Sequence, residues 1–401
     1  MPAAEPVLIV ALSGRALARS ARAAGYAPIV LDAFGDLDTR VVAERWQRLP
    51  VDRHWRFPRA ALLAAADRLA PPPVPLVWGS GFERATGLLA RLAHGRTLWG
   101  TAPAAVRAVK DPLGFARTAA RLGIDHPETR TTAPPSSRGW LLKRAGAAGG
   151  GHVQRAGGAV PAGAGWYWQR HVPGCPVSAL VLAADGRARV LGISEQWSTP
   201  NGGRSFRFGG AVAPAALRPG ARERLVAAAE ALACRYAVRG VASVDALVAG
   251  DQAVVLELNP RPGASLDAYE RAYGVNLFRL HRSACAGSLA EAPTAVRAAG
   301  SAIVHAPVAL RIPGGFAWPA WTADRTPGGT VVPARGPVCT VLAEGSTTTE
   351  VRARLAARAA ALLAMLAGCA AEIRPAARRR SSAGSPSPDA ARATARAGTG
   401  R

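Results

Sequence analysis

The first hundred residues alternate between short apolar runs and small-residue helical stretches, and this alternation restricts the fold more than any other feature. Val7–Leu12 reads as a buried strand, Ala16–Ala24 as a helix stopped by Gly25, and Pro28–Leu31 as a second strand ending at Asp32. Val74–Trp78 is a later strand running into Gly79-Ser80-Gly81-Phe82-Glu83. Strands punctuated by helices in this way predict a parallel, doubly wound sheet. Ser13-Gly14-Arg15 after the first strand supplies one glycine where a nicotinamide fingerprint needs G-x-G-x-x-G, which argues against a dinucleotide role.

A chain of 401 residues has room for two or three domains. The pattern changes around Thr101–Pro112, where Lys110-Asp111-Pro112 opens a helix ending near Gly123. Trp140–Lys143 reads as a short strand, Tyr167–Val172 as another, and Val177–Ala183 with Ala188–Ile193 as a hairpin about Asp185-Gly186. Residues 218–237 form a helix, a strand pair follows, and a C-terminal part ends in the Ala-rich helix Glu350–Leu366. The Pro/Ser/Gly/Arg composition after about Pro375 predicts a disordered tail. The expected division is therefore 1–105, 106–290, 291–374 and the basic tail 375–401.

Only two of the 50 basic residues are lysines, Lys110 and Lys143. An ammonium is a compact point charge that a planar guanidinium does not replace, so both are candidates for a site. Lys143 stands just before the loop Gly146-Ala147-Ala148-Gly149-Gly150-Gly151, and a cation beside an amide-rich loop suits nucleotide phosphates.

The other concentrated signal runs from Val241 to Arg261. Glu257 and Asn259 share a strand face because side chains alternate. A hairpin loop of odd length centred on Asp251 would set Asp245 opposite Glu257. Facing carboxylates repel, and a set of Asp, Glu and Asn oxygens suits magnesium held jointly with phosphates. Arg261 lies just beyond, where its fork would reach a phosphoryl oxygen.

Composition sets limits on partners. The net charge of +24 is spread over dispersed arginines, with +5 contributed by Arg378–Arg401, and no aromatic-rich basic stripe accompanies it. Nucleic-acid binding as the main function is disfavoured on that pattern. No run approaches the roughly 20 apolar residues of a membrane span, and Val7–Leu12 lacks the cationic flank of a secretory signal. Five separated cysteines (175, 234, 285, 339 and 369) read as reduced thiols of a cytoplasmic protein.

This order of parts resembles the ATP-grasp superfamily of ligases over roughly residues 1–345. Glu257-Leu258-Asn259-Pro260-Arg261 is its most specific piece, then the lysine pair, then the glycine loop. The chain is most similar to a carboligase-like branch related at a distance to biotin carboxylase, through Leu31–Asp36, Ser80–Glu83 and Pro337–Thr340. The resemblance implies an α/β and α+β architecture: an N-terminal doubly wound domain, a two-part ATP clamp and a small C-terminal subdomain. It implies ATP and Mg2+ as cofactors, with a carboxylate activated as an acylphosphate and joined to an amine or similar nucleophile. One-carbon cofactor biosynthesis is the setting it suggests, and a homodimer stays open.

The resemblance also distributes roles. Lys110 and Lys143 would contact phosphates and the adenine edge, and Gly146, Gly149, Gly150 and Gly151 would close over the phosphates. Gln169, Arg170, His171 and Val172 would form the hinge, its backbone pairing with adenine. Asp245, Glu257 and Asn259 would hold magnesium, and Arg261 would neutralise the transferring phosphoryl. Gln169 and Pro176 stand where many members offer glutamates, which leaves the ribose contact unassigned. His171 reads as a packed neighbour, Glu83 as a candidate substrate contact, and Ser178 and Ser265 as substrate contacts or backbone-satisfying serines. The rival readings are a bicarbonate-using carboxylase and a non-catalytic nucleotide- or nucleic-acid-binding protein.

Overall fold

A computed structural model describes residues 4–158, 160, 164–199 and 206–372. The tail expected from 375 lies outside them.

The N-terminal part runs β1 (Pro6–Ala11), α1 (Arg15–Ala23), β2 (Ala27–Asp32), α2 (Leu37–Val42), β3 (Arg45–Arg48), α3 (Arg59–Leu69), β4 (Leu76–Trp78), α4 (Thr86–Ala93) and β5 (Leu98–Trp99). Its strands form one parallel sheet ordered β3-β2-β1-β4-β5, as the alternation predicts. Val7, Leu8, Ile9 and Val10 are fully buried because helices cover both faces. At the end of α1, Tyr26 N reaches back to Ala21 O (3.0 Å), the six-to-one bond that closes many helices. The chain reverses direction across the sheet between β1 and β4. Open α/β sheets bind ligands outside the carboxyl ends of such strands, here Ser13-Gly14 and Gly79–Glu83.

Two helices follow, α5 (Pro103–Val109) and α6 (Pro112–Arg121), each with proline in its first turn. Lys110 caps α5 and so sits in the break between them. Next come β6 (Thr129–Arg130), β7 (Trp140–Arg144), β8 (Gln154–Arg155) and β9 (Trp166–Arg170), an antiparallel sheet ordered β6-β9-β7-β8. β9 ends at Arg170, two residues before the expected Val172. His171 N bonds Gly139 O (2.9 Å) outside the ladder, and Pro173 has no N–H to continue it.

The largest unit carries β10 (Cys175–Ala184), β11 (Arg187–Ser198), β12 (Phe208–Ala213), α7 (Pro219–Arg235), β13 (Gly240–Ala249), β14 (Gln252–Asn259), α8 (Leu266–Tyr273) and α9 (Leu277–Cys285). It continues through β15 (Ala298–His305), β16 (Leu310–Arg311), β17 (Thr322–Ala323), β18 (Val331–Val332), β19 (Pro337–Gly345) and α10 (Thr348–Glu372). Eight of these strands form one sheet, β14-β13-β10-β11-β12-β15-β19-β17. The region expected at 291–374 has its own core around Leu355 and Leu362 of α10, yet its strands extend that sheet through β12 and β15 without a break. Phe316, Trp318 and Trp321 pack against this core, as a cover would.

Helix α7 seals one face of the eight-stranded sheet, with Leu225 and Leu232 fully buried. On the other face, α8 and α9 meet the N-terminal domain: Phe278 packs against Tyr26 (5.0 Å between rings) and Trp99 (6.4 Å). Buried Arg15 of α1 adds ion pairs to Asp267 (2.6 Å) and Asp324 (3.0 Å). These contacts fix the carboxyl ends of β1 and β4 against the β13–β14 hairpin.

Candidate active site

The hairpin places the acidic pair by a route other than the expected one. Its turn is two residues, Gly250-Asp251, between the partners Ala249 and Gln252. Carried forward unchanged, that register would not oppose Asp245 to Glu257. A β-bulge between Asp245 and Ala246 absorbs one residue of β14, and the two acids become direct partners.

Around them the predicted residues converge. Asn259 Nδ2 donates to Asp245 Oδ2 (2.9 Å) and to Glu257 Oε1 (3.4 Å). Lys110 Nζ, from the break between α5 and α6, donates to Asn259 Oδ1 (2.9 Å) and Glu257 Oε2 (3.2 Å). Ser178 of β10 donates to Asp245 Oδ1 (2.6 Å). It therefore serves the acid, which is neither of the two roles expected of it.

Electrostatics separates the two carboxyls. Burial, then the charge of Glu257, pushes Asp245 up to about 6 despite the Ser178 hydroxyl. Desolvation would raise Glu257 too, but Lys110, Lys143 and His152 outweigh it and bring it to about 2. Two acids sharing one neutral amide donor carry a repulsion that a hard cation removes, so the donor set fits magnesium. Among the described residues no group of three or more His, Cys, Asp or Glu side chains forms a metal cage.

Lys143 and Gln169 are neighbours across β7 and β9, with Lys143 Nζ donating to Gln169 Oε1 (3.0 Å). Burial and Lys110 lower the Lys143 ammonium, while Glu257 and Asp245 support its charge. Arg170 lies on the opposite face: its side chain is exposed, bonding Arg138 O, and its N–H donates to Glu128 O (2.8 Å). His171 follows the strand and packs edge-on against Phe206, as expected of a packed neighbour.

The glycine loop is shaped by close approach. A Cβ on Gly150 (φ 71°) would lie 1.8 Å from Phe206 O, and Phe208 N bonds Gly149 O (3.0 Å). The loop therefore rests on the strand-β12 end of the large sheet, spanning from one half of the clamp to the other. Gly146 (φ 66°) abuts the Glu83 carbonyl, and Gly151 lies in the same turn.

Arg261 is held by a residue of the N-terminal domain. Its Nε donates to Glu83 Oε1 (2.8 Å), both side chains being buried. Arg261 and Lys110 keep the Glu83 carboxyl low against its burial. Glu83 thus joins the site as the partner of Arg261. Ser265 starts α8 and is buried, its carbonyl accepting from Tyr269 N.

Two residues of this region escaped the sequence reading. Tyr167 faces the same way as Gln169, and burial with Glu257 raises its hydroxyl; the two-residue strand period was the available signal. His152 follows the glycine loop, and burial, with the charges of Lys143 and Lys110, lowers it to about 4 while Glu257 opposes. Its position next to Gly151 was the only clue.

Residues 113–265 match the ATP-grasp domain family. This stretch carries the ATP-grasp fold. A search of curated proteins finds no match. Among solved structures, biotin carboxylase from Campylobacter jejuni, crystallised as a beta-gamma-ATP complex, superposes with a TM-score of 0.67 at 15% identity, covering 86% of this chain and 89% of that one. The L-amino acid ligase from Bacillus licheniformis gives 0.64 at 16%, covering 88% and 97%. An ADP complex of N5-carboxyaminoimidazole ribonucleotide synthetase gives 0.64 at 16%, covering 92% and 98%. These likenesses show the ATP-grasp fold across most of the chain, including the N-terminal sheet. No helix among the described residues is long and apolar enough to cross a membrane.

Proposed function

We propose that this protein is an ATP-dependent, ADP-forming ligase of the cytoplasm that activates a carboxylate as an acylphosphate and joins it to an amine or similar nucleophile. The observation that carries this reading is the convergence of Lys110, Asp245, Glu257 and Asn259 within hydrogen-bond reach inside an ATP-grasp domain. Structures of similar fold support it, among them an amino acid ligase and a synthetase bound to ADP.

Asp245, Glu257 and Asn259 would hold the magnesium ion, which supplies charge neutralisation for phosphoryl transfer when bound. The chain's own residues do the rest by position. Lys110 and Lys143 present two ammoniums to the crowded phosphates, and Lys143 is kept in place by Gln169. Arg261, fixed by Glu83, points a preorganised cation at the reacting end. The glycine loop, resting on Phe206 and Phe208, excludes water from an intermediate that water would hydrolyse. No side chain here needs to be a nucleophile, because such transfer depends on positioning and charge.

The test is ADP release across a panel of acids and amines, with bicarbonate included as an acid. Magnesium-dependent release that requires both an acid and an amine is the expected result. Release with bicarbonate alone supports the carboxylase reading. Absence of release with every pair, together with sub-micromolar polynucleotide binding at physiological salt, defeats the ligase reading in favour of a nucleic-acid binder.

A further inference from the structure

Guanidinium groups brought together in a partly desolvated place repel one another unless acids or anions intervene. Three arginines gather where the N-terminal domain meets the glycine loop. Arg84 follows Glu83, and its Cγ lies 2.7 Å from where a Gly146 Cβ would stand. Arg144 closes β7 two residues before Gly146, its carbonyl accepting from Ala147 N (3.2 Å). Arg56 precedes Phe57, whose ring stacks on Phe82 at 5.7 Å, two positions before Arg84. Burial and then the charges of Arg144 and Arg56 lower the Arg84 guanidinium, with Asp52 opposing.

Among the described residues Asp52 offsets this gathering only in part. Among the described residues none of the three arginines has a carboxylate within ion-pair distance. Asp52 is committed to the backbone N–H groups of His54 and Arg56 (2.8 and 2.9 Å). Among the described residues Arg144 Nε is buried with no acceptor, and its guanidinium lies over the Trp166 ring at 5.5 Å.

The placement distinguishes this cluster from the nucleotide cleft. Lys143 and Arg144 are consecutive on β7 and face opposite ways, Lys143 to Gln169 and Arg144 to Trp166. Arg84 is one residue from Glu83, which holds Arg261. The cluster is therefore beside the reacting end of the site but off the face that carries the lysines. Planar guanidiniums match phosphate and carboxylate oxygens in pairs.

We propose that Arg56, Arg84 and Arg144 form an anion subsite for the substrate acid, binding a phosphate or second carboxylate remote from the carboxylate that reacts. The substrate assignment rests on the ligase reading; the anion site itself does not. Such an acid would bridge the N-terminal domain and the glycine loop, so its binding would also favour closure.

The experiment titrates inorganic phosphate, at constant ionic strength, onto the full chain saturated with magnesium and AMP-PNP, which keeps the nucleotide-phosphate positions filled. Saturable binding is expected, weakened at least tenfold by Arg84→Gln and at least threefold by the exposed Arg56→Gln, with AMP-PNP affinity changed less than twofold. Unaltered phosphate affinity in both folded variants overturns the subsite. Equal losses of phosphate and AMP-PNP affinity also overturn it and assign the arginines to the nucleotide. A second arm compares ADP release from monocarboxylates with release from their phosphorylated or dicarboxylate counterparts. The dianionic acids should be preferred, with KM raised at least tenfold by Arg84→Gln; a monocarboxylate used as efficiently overturns the substrate assignment. A chain that binds no AMP-PNP defeats the ligase reading alone, and the phosphate titration then decides the anion site without nucleotide.

Discussion

Arg261 Nε and Glu83 Oε1 meet at 2.8 Å although 178 positions separate them, and neither side chain is more than 9% exposed. The pair ties the carboxyl end of β4 to the residue that follows the acidic strand. Removing one partner of a buried ion pair leaves an uncompensated charge, at a cost of about 3–5 kcal/mol. Glu83→Ala should destabilise the protein by that order, and Glu83→Ala combined with Arg261→Ala by less than the sum of the single changes. Urea unfolding of the three variants checks this. Additive losses would show that the two side chains are not energetically coupled.

On the proposed reading Lys143 presents an ammonium to the nucleotide, and Gln169 accepts its hydrogen bond. Lys143→Ala should therefore weaken ATP binding by about 1.5–3 kcal/mol, the range of a hydrogen bond to a charged group. Calorimetric titration gives the answer directly, and unchanged affinity in a folded variant removes Lys143 from the nucleotide site.

Glu257 is the acid kept ionised by Lys110, and its side chain is 38% exposed toward the cleft. Glu257→Gln should preserve the fold and raise the magnesium concentration needed for nucleotide binding by tenfold or more, since a carboxylate ligand is lost. Nucleotide affinity measured across a magnesium series tests it. Equal nucleotide affinity with excess chelator and with magnesium would remove the metal from the reading.

Gly150 leaves no room for a side chain, because Phe206 O stands 1.8 Å from the position of its Cβ and its φ of 71° suits glycine. Gly150→Ala should displace the loop from β12 and increase hydrogen exchange at Phe208, whose N–H is bonded to Gly149 O. The melting temperature should move little, because the loop buries few apolar side chains. Unchanged protection at Phe208 would show that the loop does not depend on this close approach.

His281 ties α9 to two other elements: Nδ1 accepts from Val241 N (2.9 Å), and Nε2 donates to Trp99 O (3.1 Å). Burial lowers it from 6.5 to about 4. A base with a lowered folded pKa binds its proton more readily when unfolded, so its stabilisation is complete above 6.5 and is lost as pH falls toward 4. His281→Leu should cost about 1–3 kcal/mol near pH 7.5 by leaving buried backbone groups unpaired. The difference from wild type should narrow at pH 4.5 in urea unfolding; a constant difference would mean that His281 does not titrate as the burial implies.

The sequence determined the elements of this protein and the chemistry of its site. The buried runs of β1 and β2 admit only a covered parallel sheet, and the strand period puts Glu257 and Asn259 on one face whatever their partners. The scarcity of lysine singled out Lys110 and Lys143, which both enter the site. Tertiary structure decided the relations between distant segments. The bulge that opposes Asp245 to Glu257 is a slip of one residue, which the hairpin sequence leaves open because a two-residue turn alone favours the other register. The end of β9 at Arg170 depends on Gly139 O taking the next N–H. Glu83 holding Arg261, and Arg84 meeting Gly146, require the N-terminal sheet to be docked by Phe278 and Arg15. Local pattern carries no information on such contacts, because side chains that meet across a hundred or more residues are brought together by packing, not by spacing.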